Sequence, residues 1–183
     1  MAENANRLAG LRRPAVFLDR DGVINVDRGY VSRRADFKWI PGAIEAIKAL
    51  NDAGYHVFVA TNQSGIARGL YTEREMQALH DYIARELAKK GARIDDWRHS
   101  PFHPEGTVIA FKRTSDWRKP RPGMILDLLQ SWPVDRARSV LIGDKESDMQ
   151  AARAAHVRGL RFSGGDLLAF VRAHVLGTRP RLS

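Results

Sequence analysis

Cysteine is absent from the 183 residues, and no apolar run approaches the ~20 residues that a membrane-spanning helix needs. Without cysteine the chain has neither disulfides nor thiolate metal ligands, as is typical of proteins in a reducing cytoplasm. The first 13 residues mix Glu3 and Arg7 with small residues and lack the apolar core of a secretory signal. We therefore expect a cytoplasmic protein that does not contact a membrane.

Acidic residues are fewer than basic ones: the chain has 21 Asp and Glu against 30 Lys and Arg, which gives a net charge of +9. Such a surplus can attract phosphate-bearing ligands, including nucleic acid, or simply keep a surface soluble. The basic residues lie in short clusters, such as 118–121, and no long basic stripe is interleaved with aromatic residues. We do not expect nucleic acid as a partner, although a nucleic-acid 3′-phosphatase or a non-catalytic binder stays open as an alternative.

The length suits one domain, residues 1–183, with flexible tails at 1–13 and 179–183. Apolar runs predict strands at 15–18, 56–60 and 139–142, with weaker ones at 95–99 and 158–162. Helical patterns follow Pro41, the capping box of Thr72 and Glu75, and Asp166, and they also cover 124–130 and 151–155. This alternation predicts an α/β protein with a doubly wound, Rossmann-like parallel sheet.

Polar clusters follow three of the predicted strands, and a fourth precedes a helix. They are Asp19-Arg-Asp21, Thr61-Asn-Gln-Ser64, Gly143-Asp144 and Arg118-Lys119. Each alone is typical of a turn or a solvated loop. The carboxyl ends of parallel strands share one edge, where open α/β folds bind ligands, so together the clusters predict one site.

This combination suits phosphoryl transfer. The carboxylates of Asp19 and Asp144 are hard oxygen ligands that suit Mg²⁺, and a carboxylate can attack phosphorus to form an acyl phosphate. We interpret Asp19 as the nucleophile and Asp21 as the group that protonates the leaving oxygen. Lys119 and Thr61 can stabilise the charge that spreads over the phosphoryl oxygens.

Four segments together resemble the motifs of the haloacid dehalogenase (HAD) superfamily. They are Phe17-Leu-Asp-Arg-Asp-Gly-Val-Ile-Asn25, Thr61-Asn-Gln-Ser-Gly65, Arg118-Lys-Pro-Arg-Pro-Gly-Met124 and Ile142-Gly-Asp-Lys-Glu-Ser-Asp148. The resemblance is strongest to its D-glycero-D-manno-heptose 1,7-bisphosphate 7-phosphatases and histidinol-phosphatases, and it runs from about Phe17 to Met149. It implies a HAD-like fold and a magnesium-dependent phosphatase.

The resemblance also implies roles for single residues. Mg²⁺ would be held by Asp19, Asp144 and the main-chain carbonyl of Asp21, while Asp148 would orient the loop of the fourth motif. The substrate would be contacted by Asp27, Arg28, Gly29, Tyr30, Asn62, Gln63, Ser64, Arg118 and Lys145. We expect a small phosphorylated metabolite as the ligand and a monomeric enzyme. The leading hypothesis is a heptose bisphosphate, and histidinol phosphate or another small phosphomonoester is the alternative.

The chain departs from many relatives in a loop that binds zinc there. The ligand positions of that loop correspond to Ser100, Phe102, Ser115 and Trp117, so a tetrahedral thiolate site cannot form and no zinc is expected. We expect apolar packing to replace the metal, with Phe102 and Trp117 as partners, helped by Val108, Ile109 and Phe111.

The intervals between the motifs are short. They leave no room for an inserted cap domain, so we expect an open site.

Overall fold

The protein is described by a computed structural model that covers residues 12–177, so residues 1–11 of the predicted tail at 1–13 and all of the predicted tail at 179–183 lie outside the described residues. Five parallel strands form one sheet in the order β3-β2-β1-β4-β5. The strands are β1 Ala15–Leu18, β2 His56–Asn62, β3 Asp96–Ser100, β4 Val140–Gly143 and β5 Arg158–Arg161. The prediction of a parallel α/β sheet is confirmed.

Helices connect the strands in chain order. They are α1 Ala43–Asp52, α2 Glu73–Ala88, α3 Gly123–Ser131, α4 Glu146–Ala154 and α5 Leu167–Val171, which continues as a π-helical turn at Arg172–Leu176. Single 3₁₀ turns lie at Arg34–Asp36, Ile109–Phe111 and Arg136–Arg138. None of the helices within residues 12–177 has the length and apolar character needed to cross a membrane.

The sheet is covered on both faces, because successive side chains of a strand point to opposite sides. Val16 and Leu18 of β1 pack in a cluster with the apolar faces of α1, α2 and α5. Phe17, between them, packs in a second cluster with α3 and α4. The two clusters give the doubly wound arrangement, and they leave the carboxyl ends of the strands uncovered for polar loops.

Local sequence explains how α2 begins. The hydroxyl of Thr72 accepts a hydrogen bond from the backbone N–H of Glu75, and the Glu75 carboxylate accepts one from the N–H of Thr72. Both bonds satisfy backbone donors that a helix leaves free at its first turn. The predicted capping box is therefore confirmed.

Three boundaries differ from the predictions. β2 continues to Asn62 because Thr61 and Asn62 pair with β3. The helical pattern predicted over 151–155 belongs to α4, which begins earlier, at Glu146, because Asp148 accepts a hydrogen bond from the backbone N–H of Lys145 and closes the first turn. The predicted tail at 1–13 is wrong for Arg13, whose backbone exchanges hydrogen bonds with Pro133 and Asp135.

Candidate active site

The loops at the carboxyl ends of β1, β2 and β4 surround a cavity of about 550 Å³. Its lining combines acidic, basic, amide and hydroxyl side chains, namely Asp19, Asp21, Asp27, Gly29, Tyr30, Asn62, Ser64, Tyr71, Arg118, Lys119, Pro120, Lys145, Ser147 and Asp148. Three of the four polar clusters predicted from the sequence line this cavity, and Asp144 of the fourth does not line it but has a carboxylate oxygen within 4.8 Å of those of Asp19 and Asp148.

Three aspartates converge at the floor of the cavity. One carboxylate oxygen each from Asp19, Asp144 and Asp148 lies within 4.8 Å of the others. Oδ1 of Asp144 is buried and has no hydrogen-bond partner among residues 12–177, so it retains free ligand capacity. Hard carboxylate oxygens, one of them buried and without a hydrogen-bond partner, are suitable ligands for Mg²⁺.

Gly22 allows the two loops of this acidic cluster to approach each other. Its φ of +88° is in the region that favours glycine, and a Cβ there would lie 2.4 Å from Oδ2 of Asp144. Any larger residue at position 22 would therefore push the Asp144 carboxylate away from Asp19.

Lys119 is the cation of this cluster. Its Nζ lies 2.6 Å from Oδ1 of Asp148 and 3.1 Å from Oδ1 of Asp19, and it also donates to the carbonyl of Ala60 at 2.7 Å. Burial alone would lower the pKa of Lys119, but the two carboxylates raise it above its usual value. The ammonium is therefore charged at neutral pH.

Asp19 and Asp144 ionise less readily than free aspartate, because their pKa values are raised. Burial, which the charge of Lys119 offsets only in part, raises the pKa of Asp19 to about 6. Burial also raises the pKa of Asp144, despite the opposing charge of Lys145. Concentrated negative charge of this kind is stabilised by a bound divalent cation.

Asp21 lies beside the cluster in a cage of hydrogen-bond donors. Nη2 of Arg20 donates to both of its carboxylate oxygens, at 2.9 and 2.8 Å. Asn25 Nδ2 donates to Oδ1 at 2.9 Å, and Gln63 Nε2 donates to Oδ2 at 3.0 Å. The cage directs the Asp21 carboxylate into the same cavity as Asp19.

Two residues predicted to contact the substrate are used inside the protein. Gln63 is 1% exposed, because it donates to Thr61 and Asp21 and accepts from the hydroxyl of Tyr71. Asn62 lines the cavity, but its amide exchanges two hydrogen bonds with the backbone of Lys119. Gln63 therefore does not line the cavity, and its contact with the substrate stays a prediction.

Thr61 is buried at the end of β2 and does not line the cavity, and its hydroxyl accepts a hydrogen bond from Gln63. Its contact with the phosphoryl group stays a prediction.

The mouth of the cavity is closed on one side by an ion pair. Nζ of Lys145 donates to Oδ2 of Asp27 at 2.8 Å, which joins loops 118 residues apart. Burial opposes ionisation of Asp27, but the Lys145 ammonium and the N–H of Gly29 hold its pKa below the usual value. Tyr30, with φ +54° and 48% exposure, stands over this entrance.

Arg118 and Ser64 line the cavity as predicted, whereas Arg28 does not. Arg28 lines a neighbouring depression of about 510 Å³ together with Ser32 and Arg33. The pKa of Arg118 is lowered by burial and by the charge of Arg68. Arg118 is therefore a partly buried cation facing the cavity, a suitable contact for an anionic substrate.

The sequence matches two family models. One, described as haloacid dehalogenase-like hydrolase, matches residues 16–89, and a second HAD-hydrolase-like model matches residues 116–166. A protein of Rhodopseudomonas palustris named D-glycero-beta-D-manno-heptose-1,7-bisphosphate 7-phosphatase is 54% identical over 161 residues, which cover 88% of this chain and 89% of the relative. The chain belongs to the haloacid dehalogenase-like hydrolases.

Other members of this family agree with that assignment. An Escherichia coli protein of the same name is 46% identical over 144 residues, covering 79% of this chain and 75% of the relative. The crystal structure of D,D-heptose 1,7-bisphosphate phosphatase from B. bronchiseptica, complexed with magnesium and phosphate, is 33% identical with a TM-score of 0.75. That comparison covers 92% of this chain and 89% of the neighbour.

The loop that corresponds to the zinc loop of other HAD hydrolases is only partly packed as predicted. The ring centroids of Phe102 and Phe111 lie 6.1 Å apart, and the Arg113 guanidinium lies 4.1 Å from the centre of the Phe102 ring. Trp117 is 36% exposed and Ile109 is 90% exposed, so the predicted pairing of Phe102 with Trp117 and the support from Ile109 are wrong. The aromatic contact and a cation–π contact replace them.

Sequence reasoning missed three residues of the site: Arg20, Tyr71 and His80. Arg20 lies in a loop between Asp19 and Asp21, where no helical or strand periodicity indicates which side chains are buried. His80 had a usable signal, since it is a polar residue on the face of α2 that otherwise holds Met76, Leu79, Ile83 and Leu87.

Proposed function

We propose that this chain is a magnesium-dependent phosphatase that removes the 7-phosphate of D-glycero-β-D-manno-heptose 1,7-bisphosphate. The chemistry rests on the juxtaposition of Asp19, Asp144 and Lys119 at the floor of one cavity. The substrate rests on the relatives with 54% and 46% identity that carry this name. The roles of single residues below are part of the proposal.

In the first step, a carboxylate oxygen of Asp19 attacks phosphorus and forms an acyl phosphate. The bond from phosphorus to the ester oxygen breaks, and its electron pair stays on that oxygen. The carboxyl group of Asp21 gives its proton to the same oxygen, so the product leaves as an alcohol. Lys119 neutralises charge on the phosphoryl oxygens as the transition state forms.

In the second step, Asp21 acts as a base. Its carboxylate takes a proton from water while the water oxygen attacks the phosphorus of the acyl phosphate. The bond between phosphorus and the Asp19 oxygen breaks, which restores the carboxylate and releases inorganic phosphate. Asp21 ends protonated, ready for the next substrate.

Mg²⁺ would be held by carboxylate oxygens of Asp19 and Asp144, with the main-chain carbonyl of Asp21 as the third protein ligand. Bound there, the ion supplies Lewis-acid stabilisation of charge on the phosphoryl group. Asp148, which pairs with Lys119 and caps α4, keeps the ammonium and the loop of Asp144 in place. We propose no zinc ion as a cofactor.

Substrate selection is assigned to the rim of the cavity. Arg118 and Lys145 provide cations for the second phosphate and hydroxyl groups, and Tyr30 supplies an aromatic surface at the entrance. Within the described chain, no element that could form a cap domain separates Asp21 from Thr61 or Thr61 from Lys119. The open mouth therefore accepts a seven-carbon sugar without a domain closure.

The decisive experiment offers the purified protein four substrates with Mg²⁺: the β and α anomers of the heptose bisphosphate, histidinol phosphate and a 3′-phosphorylated oligonucleotide. We expect release of one phosphate per heptose, from carbon 7, with a preference for the β anomer and loss of activity in EDTA. Faster hydrolysis of histidinol phosphate would replace the substrate assignment while retaining the chemistry.

The mechanism has its own control. Asp19→Asn keeps the size and the hydrogen-bond acceptor of the side chain, so the fold is retained while the nucleophile is lost. We expect no turnover of any phosphomonoester, and retained turnover would refute the assignment of Asp19. We further propose that the protein acts as a single-domain, cytoplasmic monomer without a nucleic-acid partner, which the oligonucleotide arm and gel filtration test.

A further inference from the structure

Arg20 is a fully buried cation. Its exposed fraction is 0%, and a guanidinium removed from water costs free energy unless its donors are satisfied. Nε and Nη2 both reach the Asp21 carboxylate, Nη2 also donates to the carbonyl of Val31, and Nη1 lies 3.3 Å from Nε2 of His80. Three separate segments of the chain therefore hold this one side chain.

His80 supplies the anchor on the far side of Arg20. Its ring stacks on Trp97 of β3, with centroids 4.5 Å apart and an angle of 24° between the planes. Burial, helped by the charge of Arg20, lowers the pKa of His80 to about 3, so the ring is neutral at physiological pH. A neutral ring can accept the hydrogen bond from the Arg20 guanidinium, which always donates.

The guanidinium fixes the orientation of the Asp21 carboxylate. A planar fork that donates to both oxygens restricts the plane of the acid, which a point charge would not do. Asn25 and Gln63 then hold one oxygen each. The four contacts leave the acid at one place on the cavity wall, beside Asp19.

We propose that Arg20 positions the Asp21 proton donor and that His80, stacked on Trp97, keeps the Arg20 guanidinium in place. Arg20 does not line the cavity, so it acts only through its hydrogen bonds to Asp21. The inference rests on the proposed function only in that Asp21 protonates the leaving oxygen. It needs no particular sugar.

The proposal predicts a dependence on the leaving group. An alkyl phosphate must release an alkoxide, which needs the proton of Asp21, whereas 4-nitrophenyl phosphate releases a stable phenolate that does not. A misplaced Asp21 should therefore slow the alkyl ester selectively. A purely structural role of Arg20 and His80 would slow both esters alike.

The test compares kcat/KM for the heptose bisphosphate with kcat/KM for 4-nitrophenyl phosphate, because kcat/KM includes the step in which the alcohol leaves. His80→Phe keeps a ring on Trp97 and removes the acceptor, while Arg20→Lys keeps the charge and removes the fork. We expect each variant to lower kcat/KM for the heptose ester by about tenfold or more relative to the aryl ester. His80→Gln, which returns an acceptor, should restore the wild-type ratio.

Leu79→Ala is the matched control. Leu79 is the buried neighbour of His80 on α2, and its apolar side chain packs in the core cluster and cannot accept a hydrogen bond from Arg20. It should lower thermal stability and leave the ratio of the two substrates unchanged. The same unchanged ratio in His80→Phe and Arg20→Lys, or a failure of His80→Gln to restore it, would overturn the proposal.

A crystal structure of His80→Phe provides a second measurement that needs no turnover of an aryl ester. We expect the Asp21 carboxylate to leave its contacts with Asn25 and Gln63, and an unmoved carboxylate would overturn the inference. The proposed function fails separately, through a wild-type protein that hydrolyses neither substrate. An active wild-type enzyme with unchanged ratios in the variants removes only the role of Arg20.

Discussion

Replacing Asp19 by Asn should make the metal-free protein more stable while removing its activity. The carboxylate is buried, and its pKa rises from 3.8 to about 6 on folding. The folded state therefore favours the protonated acid, and the ionised form opposes folding at neutral pH. Asparagine has the same shape but no charge to bury.

The magnitude follows from the shift in pKa. At 1.36 kcal/mol per pH unit, a rise from 3.8 to about 6 corresponds to about 3 kcal/mol at pH 7.5. The gain should fall to about 1 kcal/mol at pH 4.5, because the folded acid is protonated below its own pKa of about 6, and it should vanish below the unfolded pKa of 3.8, where both states bind the proton. Oδ1 of Asn can still accept from the N–H of Arg20, and Lys119 keeps Asp148 as its partner.

The assay is thermal unfolding of both proteins in EDTA at the two pH values. For a chain of this length, about 3 kcal/mol corresponds to an increase in Tm of about 6–12 °C. Mg²⁺ at a hundredfold excess over Kd should raise the free energy of unfolding of the wild type by about 2.7 kcal/mol, and with it the Tm, and should stabilise the variant far less. A variant less stable than the wild type in EDTA at pH 7.5 would refute the reasoning.

Three further predictions concern the charges around the cavity. Lys119→Met should reduce kcat by orders of magnitude and lower the free energy of unfolding by about 3–5 kcal/mol in urea titrations, because Asp19 and Asp148 lose their buried partner. Unchanged stability would contradict the buried ion pairs. The affinity for Mg²⁺, measured by calorimetry at pH 7.5 and 5.5, should weaken at the lower value, because protons compete for Asp19 below about pH 6; equal affinities would contradict the raised pKa. Lys145→Ala should change stability by less than ~1 kcal/mol, since Lys145 and Asp27 are partly exposed, yet raise KM for the bisphosphate. A normal KM would remove Lys145 from the substrate contacts.

Much of the fold could be predicted because its signals are local. Strands of four to seven apolar residues and the Thr72 capping box depend on neighbours a few positions away. The boundaries that moved depend on distant partners. β2 ends where β3 stops pairing, and Arg13 joins the domain through residues 133–135.

The chemistry of the site could also be predicted, because a nucleophilic carboxylate, hard metal ligands and a buried lysine must be specific residue types. The spacing of Asp19 from its strand placed it at the correct edge of the sheet. The packing of the loop from Ser100 to Arg118 was harder to predict. Its aromatic residues can pack in several ways, and only the folded chain shows Phe102 near Phe111 and under Arg113.

The sequence by itself determined a parallel α/β sheet and the set of acidic and basic groups to which we assign phosphoryl transfer, since both follow from residue type and short-range spacing. Only the tertiary structure decided how the polar side chains divide between the cavity and the interior. Gln63 faces Asp21, and His80 meets Arg20 across 60 positions of the chain. Such pairings depend on the packing of α2 against the sheet, which places residues side by side regardless of their separation in sequence.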